Sequence, residues 1–175
     1  MRFFVADTET TGLSAKTEAM IEVAIIEIDD QFHELTVYHT LLNPGKPIPA
    51  GASAVNNIFD DMVADAPNVK DFFSSLDLGD PKDAVLICHN VGFDAGFLNP
   101  HWHPKTELCT RDLAKKLVKA KNYKLGTLLE HFGITLEDAH RATTDARGCK
   151  DLLKALVDSS GMSLEQVIAK WGYRG

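Results

Sequence analysis

The stretch Phe3-Phe4-Val5-Ala6-Asp7-Thr8-Glu9-Thr10-Thr11-Gly12-Leu13 decides how the chain is read. Phe3 to Ala6 is a short apolar run with the length and composition of a buried strand, and it ends in Asp7. Thr8 to Lys16 reads as a polar loop. Asp7 and Glu9 lie two residues apart at a strand end, so they point to the same face. Like charges that close repel, and one takes up a proton unless a cation intervenes. Oxygen-only ligation suits hard divalent ions such as Mg²⁺ or Mn²⁺. Taken alone, the pair reads equally well as a solvated strand end, with Asp7 capping a turn.

Working outward, Met20 to Ile28 is β-branched and interrupted by Glu22 and Glu27, and it reads as a second strand. Glu34 to Leu42 reads as a third, joined to it by a hairpin at Asp29 to His33. Asn43 to Pro49 holds three prolines and a glycine and predicts an extended loop. Strands and helices then alternate. Ala84 to Cys88 and Glu107 to Cys109 predict strands, and Asn68 to Leu76, Phe93 to Leu98, Asp112 to Lys119 and Leu125 to Phe132 predict helices. Ala142 to Val157 predicts the longest helix, and Ser163-Leu164-Glu165-Gln166 is a capping box that opens a last one. Hairpin strands followed by alternating elements imply an α/β fold with a mixed sheet flanked by helices.

Composition sets the class. The 175 residues are 45% hydrophobic and 25% charged, which excludes a disordered chain, a collagen repeat and a disulfide mini-scaffold. One domain, residues 1–175, is expected. No apolar run approaches the roughly 18 residues of a membrane span, and the start at Met1 reaches charge at Arg2 and Asp7, unlike a signal peptide. Cys88, Cys109 and Cys149 sit far apart in apolar stretches and read as reduced core thiols, so a cytoplasmic location is expected. The net charge of −7 argues against a nucleic-acid binder, since such proteins usually carry a basic face. Acids gathered around divalent metals would, however, be neutralised where it matters.

Two more segments carry chemistry. His89-Asn90-Val91-Gly92-Phe93-Asp94-Ala95-Gly96-Phe97-Leu98 places Asp94 between two aromatics at a helix start. A helix dipole favours an acid there with or without a metal. His140-Arg141-Ala142-Thr143-Thr144-Asp145 places Asp145 on or near the apolar face of the long helix, where an acid needs a partner or a metal. His140 lies about one turn earlier, and a capping network would account for it as well.

Together the segments supply four carboxylates and one histidine, and in that combination they resemble the DEDDh 3′→5′ exonuclease superfamily. Asp7 and Glu9 match its first motif, DTETTG. Asp94 matches the second, HN-x-x-FD-x-x-FL, and His140 and Asp145 match the third, H-x-x-x-x-D. The likeness covers Arg2 to about Val157 and is greatest to the epsilon-like proofreading exonuclease domains of bacterial DNA polymerase III. It implies a ribonuclease-H-like mixed five-stranded sheet and removal of nucleoside 5′-monophosphates from the 3′ end of single-stranded DNA by two divalent ions, Mg²⁺ or Mn²⁺. It also implies roles. Asp7 bridges the ions, Glu9 and Asp145 hold the first, and Asp94 serves the second partly through water. His140 is the general base, and its ordinary pKa near 6.5 suits that task, with activity rising through about pH 6 to 7.5. Thr10 meets the terminal 3′-OH through its backbone, Leu13 wedges between the last two bases, and Phe93 lines the nucleotide pocket. Core packing is the competing reading for Leu13 and Phe93. One departure stands out. Epsilon-like chains often carry Val-His-Gly-Ile where this one has Val55-Asn56-Asn57-Ile58, so Asn56 replaces a histidine with a side chain that hydrogen-bonds but carries no charge.

Arg111, Lys115, Lys116, Lys119, Lys121 and Lys124 form the one dense basic stretch, a solvated helix face or a track for a nucleic-acid backbone. Asp7-Thr8-Glu9-Thr10-Thr11 also approximates the D-x-D-x-T opening of haloacid-dehalogenase-type phosphatases, but that scheme leaves His140 and Asp145 without a task. A non-catalytic binding module would have lost a ligand, and all five positions are filled. An exoribonuclease trimming RNA ends or short oligoribonucleotides uses the same motifs and is the alternative to a DNA enzyme. The chain continues from Asp145 only to Gly175, mostly as helix, which favours a free-standing enzyme over one tethered to a DNA polymerase.

Overall fold

The computed structural model describes residues 1–136 and 141–174. Its centre is a mixed sheet in the order β3-β2-β1-β4-β5-β6. The strands are β1 (Arg2–Thr10), β2 (Met20–Ile28), β3 (Glu34–Leu41), β4 (Ala84–Cys88), β5 (Thr106–Cys109) and β6 (Tyr173–Arg174). The expected five strands are present, and two residues near the C-terminus add a sixth, antiparallel to β5. β1 to β3 pair antiparallel, whereas β4 runs parallel to β1 and β5 parallel to β4.

Among the described residues eight α-helices accompany the sheet: α1 (Ala50–Asn56), α2 (Asp60–Val63), α3 (Val69–Ser74), α4 (Val91–Leu98), α5 (Thr110–Leu117), α6 (Leu125–His131), α7 (Ala142–Ser160) and α8 (Leu164–Trp171). Alternation along β1 sorts them into two layers. Phe3 and Val5 pack with Leu113, Leu128, Leu152 and Val167 of α5, α6, α7 and α8. Phe4 and Ala6 face the opposite layer, with Ala95 and Leu98 of α4 and Trp102. β2 is buried along its whole length, so its two glutamates need partners. Arg2 supplies one, donating to Glu27 from Nε and Nη2 at 2.6 and 2.8 Å.

Local signals set the helix ends. Gly133, with φ of +69°, follows α6, and Gly161, with φ of +68°, ends α7. Ser163 and Gln166 form the reciprocal capping box of α8. Cys88, Cys109 and Cys149 are buried and unbridged.

One expected boundary is corrected. β1 does not end at Asp7; it continues to Thr10, so Thr8 to Thr10 are strand rather than loop. Pairing with β2 holds this extension, from Asp7 opposite Ala24 to Thr10 opposite Met20. β4 pairs only with Arg2 to Val5, so the end of β1 runs on past β4 and leaves a crevice beside it. Open α/β sheets bind ligands in crevices outside the carboxyl ends of their strands.

Candidate active site

Asp7 and Glu9 follow Phe3 and Val5 on the β1 face turned toward α7. Asp145 stands in the first turn of α7. Its carboxylate, with those of Asp7 and Glu9, offers oxygens that all lie within 4.8 Å of one another. Thr8 points to the other layer and takes hold of α4. Its N–H and its hydroxyl both donate to Asp94 Oδ1, at 3.1 and 2.9 Å. Asp94 is thereby fixed beside the trio, 4% exposed, in the first turn of α4. A cleft of 530 Å³ gathers all four carboxylates, with His89, Phe93, Lys124 and α6 residues on its walls. Gly148 lets α6 close on α7, because a Cβ there would come within 3.1 Å of Leu129 Cδ1 and within 2.9 Å of Leu136 Cδ1 just beyond α6.

Asp7, Glu9 and Asp94 carry the electrostatics of crowded, buried acids. Burial raises the pKa of Asp7 well above the carboxylate range, and Asp94, Asp145 and Glu9 raise it further. Glu9 is pushed up to about 8, by burial first and then by Asp145 and Glu22, with a hydrogen bond from Asn56 working the other way. Burial lifts Asp94 to about 7 against the two Thr8 bonds. None of the larger influences on Asp7 or Glu9 is a cation. Oxygen ligands that are close together, half-buried and short of positive charge fit a divalent metal.

A second cleft of 420 Å³ adjoins the first through Thr8, Glu9 and Phe93. Its walls include Thr10, Leu13, Val55 and Asn56. Leu13 is 88% exposed, which removes core packing as its explanation. It rides a loop closed by the Thr11 N–H donating to the Ala19 carbonyl at 2.9 Å and the Ala19 N–H donating to Thr11 Oγ1 at 3.0 Å. Phe93 is half-buried, its ring 5.2 Å from that of Phe97. Thr10 is buried and its hydroxyl donates to the Gly12 carbonyl. Asn56 is only 2% exposed and its side chain is engaged within the protein: it accepts from the Ile58 N–H at 3.0 Å and donates to the Thr10 carbonyl at 3.5 Å. His140 lies outside the described residues.

Two residues with defined places around the cleft have no role in the motif reading. His89 Nε2 donates to the Tyr123 carbonyl at 2.9 Å, and Nδ1 lies 3.0 Å from Thr110 Oγ1. Burial lowers its pKa, and the clamp sets the segment that ends in Lys124 beside the carboxylates. Glu22, register partner of Glu9, is wholly buried and bonded to His39, Arg141 and the Ala142 N–H. The signal for it was present in the sequence as an acid interrupting a β-branched run.

Known proteins place the chain. It matches the exonuclease family of RNase T type over residues 4–153. It is 33% identical to the DNA polymerase III subunit epsilon of Treponema pallidum over 173 residues, covering 89% of this chain and 76% of that one. It is also 33% identical to the PolC-type DNA polymerase III of Bacillus subtilis over 175 residues, but spans only 12% of that much longer protein. Among solved structures, exonuclease X in complex with 5′ overhanging duplex DNA superposes with a TM-score of 0.80 at 27% identity, covering 95% of this chain and 98% of the other. The carboxylates at the end of β1 therefore sit inside a matched region that runs through most of the chain, and the protein belongs to the exonuclease family.

Proposed function

We propose that this protein is a metal-dependent 3′→5′ exonuclease that releases nucleoside 5′-monophosphates from the 3′ end of single-stranded DNA. The observation that carries the reading is the Asp7, Glu9 and Asp145 trio with Asp94 tethered beside it, four acids in one cleft with no cation among the main influences on the β1 pair. Asp7, Glu9, Asp94 and Asp145 would hold two divalent ions, Mg²⁺ or Mn²⁺. Four negative charges against four positive leave the loaded site neutral, so an acidic chain can accept a polyanion. When bound, such ions stabilise both the attacking and the leaving oxygen of an in-line phosphoryl displacement.

The remaining work belongs to the chain. His140 takes a proton from the attacking water, whose oxygen forms the new bond to phosphorus. The bond from phosphorus to the 3′ oxygen of the preceding nucleotide breaks, that oxygen takes a proton from solvent, and a 5′-monophosphate and a fresh 3′-hydroxyl end result. The Thr10 backbone orients the terminal 3′-OH, and Leu13 and Phe93 flank the last bases from the second cleft. Asn56 acts indirectly, supporting Glu9 and the end of β1 through its hydrogen bonds.

DNA as substrate rests on the relatives, a DNA polymerase III subunit and an exonuclease solved with duplex DNA. The test is cleavage of end-labelled DNA and RNA of one sequence, with Mg²⁺, Mn²⁺ or EDTA. A metal-dependent ladder of DNA shortened from its 3′ end, absent in Asp7→Ala, is the expected result. Faster loss of RNA would overturn the DNA assignment. No cleavage of either, with metal bound, would overturn the reading of a self-sufficient enzyme and point to a missing partner or a binding role.

A further inference from the structure

The buried side chain of Glu22 sits at a junction. Its Oε1 accepts from Arg141 Nη2 at 2.8 Å and lies 2.7 Å from His39 Nε2. Its Oε2 accepts from Arg141 Nε and from the Ala142 N–H, each at 3.2 Å. Ala142 is the first residue of α7, and Arg141, at the N-cap, offers the helix no side-chain cap of its own. A carboxylate from a strand 120 residues away therefore caps the helix that carries Asp145. The same carboxylate grips the residue that follows His140 in the chain.

The placement is not needed for stability alone. A buried ion pair is weak evidence of stabilisation, because desolvating both groups offsets much of their attraction. Apolar residues would cover β2 at least as well, as they do over Val23 to Ile26. What the pair does supply is a fixed position. The Glu22 side chain, 0% exposed, ties the beginning of α7 to β2, directly beside Glu9 on β1. Shifts of a fraction of an ångström at Ala142 would carry Asp145 toward or away from Asp7 and Glu9.

We infer that Glu22 is a positioning residue of this exonuclease: with Arg141 it sets the start of α7, and so the approach of Asp145 to the carboxylates of β1. The inference rests on the catalytic reading of those residues given above. It touches neither substrate nor metal, and it acts through the helix cap.

The test compares Glu22→Gln and Arg141→Gln, singly and together, with the unaltered protein. The readouts are kcat and KM on single-stranded DNA, and Mn²⁺ affinity by titration calorimetry without DNA. Outer-shell partners of this kind typically cost about 10- to 100-fold in metal affinity or activity when replaced. Glu22→Gln, folded at the assay temperature by circular dichroism, should lose about tenfold or more in kcat, with KM within about twofold, and should bind Mn²⁺ more weakly. The double variant should lose little beyond the worse single one, since both changes break one unit. A folded Glu22→Gln protein with unaltered kcat and Mn²⁺ affinity would overturn the inference and leave Glu22 a packing residue. Absence of cleavage by the unaltered protein is a separate failure, of the enzyme reading, and the Mn²⁺ isotherms still decide the role of Glu22.

Discussion

Glu9 and Glu22 are the same residue type, side by side on neighbouring strands, and register partners on one face of the sheet. Their environments are opposite. Glu9 is pushed up to about 8 by burial and by the acids around it. Glu22 is more deeply placed, and burial works against its charge too, yet Arg141, His39 and the Ala142 N–H hold it below the usual range. The fold can therefore satisfy a buried carboxylate with its own arginine and hydrogen-bond donors, and does so one strand away from the site. Among the described residues, no cation is a main influence on Asp7 or Glu9. Charge repulsion there is left for a bound cation to relieve, the condition in which a perturbed pKa points to function.

The largest effect that could break this contrast comes from Asp7→Asn. Cleavage should fall by about 10³-fold or more, because a metal ligand is lost. Without metal, the melting temperature should rise by a few degrees, because one of the clustered charges is gone. Glu22→Gln should move the melting temperature the other way, since it removes the buried charge that pairs with Arg141 and accepts from the Ala142 N–H. Calorimetric scans of both variants in EDTA check the pair. Equal signs for the two would end the distinction between a crowded carboxylate and a satisfied one.

The pH dependence of stability follows from the same contrast. Glu9 and Asp94 have raised folded-state values, about 8 and about 7, above ordinary values of 4.5 and 3.8. Their contribution is fully present below about pH 4 and is lost as pH rises through 7 to 8. Glu22 is lowered, so its contribution is present above about 4.5 and is lost as pH falls through its folded value. In EDTA the melting temperature should pass through a maximum near pH 5 and decline toward pH 8.5. Added Mg²⁺ or Mn²⁺ should stabilise more strongly the higher the pH. A flat profile between pH 5 and 8.5 in EDTA would show that the β1 acids are not crowded.

Much of this arrangement is legible in the sequence, and what is not has physical causes. The part of β1 leading to Asp7 is legible, and so is the helix face carrying Asp145, because apolar spacing marks buried faces. The last three residues of β1 read as loop, since Thr8, Glu9 and Thr10 face a crevice and show no apolar pattern. Only their pairing with β2 makes them strand. α1 and α2 give no apolar period to find, with Ala50, Gly51, Ala52 and Ser53 opening the first and two aspartates the second. Glu22 was visible only as an interruption, because its partner Arg141 lies more than a hundred residues away and no local rule joins them. Asn56 stands out in the sequence only through its alignment with a histidine, and its bonds to the Thr10 carbonyl, the Ile58 N–H and Glu9 join segments more than forty residues apart.

A smaller effect sharpens the role of the fourth acid. Thr8→Val keeps the strand shape and the Thr8 N–H bond but removes the hydroxyl that donates to Asp94 at 2.9 Å. Asp94 should then hold its orientation less firmly. A loss of about tenfold in kcat is expected, with little change in KM or melting temperature. If steady-state assays instead show a rise in KM alone, Asp94 serves substrate binding and stands apart from the trio.

The smallest effect concerns the one lysine or arginine among the described residues lining the main cleft. Lys124 follows Tyr123, whose carbonyl His89 clamps, and its own N–H donates to Asn122 Oδ1 at 3.0 Å. It is exposed, and it is not among the larger influences on Asp7 or Glu9. A cation that sits in the cleft and is not a main influence on the β1 acids is placed for a phosphate of the incoming strand rather than for the metal site. On that argument Lys124→Ala should raise KM a few-fold, leave kcat within about twofold, and reduce the slope of log affinity against log salt by about 0.7, the share of one phosphate contact on a single strand. Binding measured by fluorescence anisotropy between 50 and 200 mM salt reads that slope directly. An unchanged slope with a fallen kcat would instead tie Lys124 to the carboxylates, and the cleft would then hold an internal counter-ion after all, as Glu22 does.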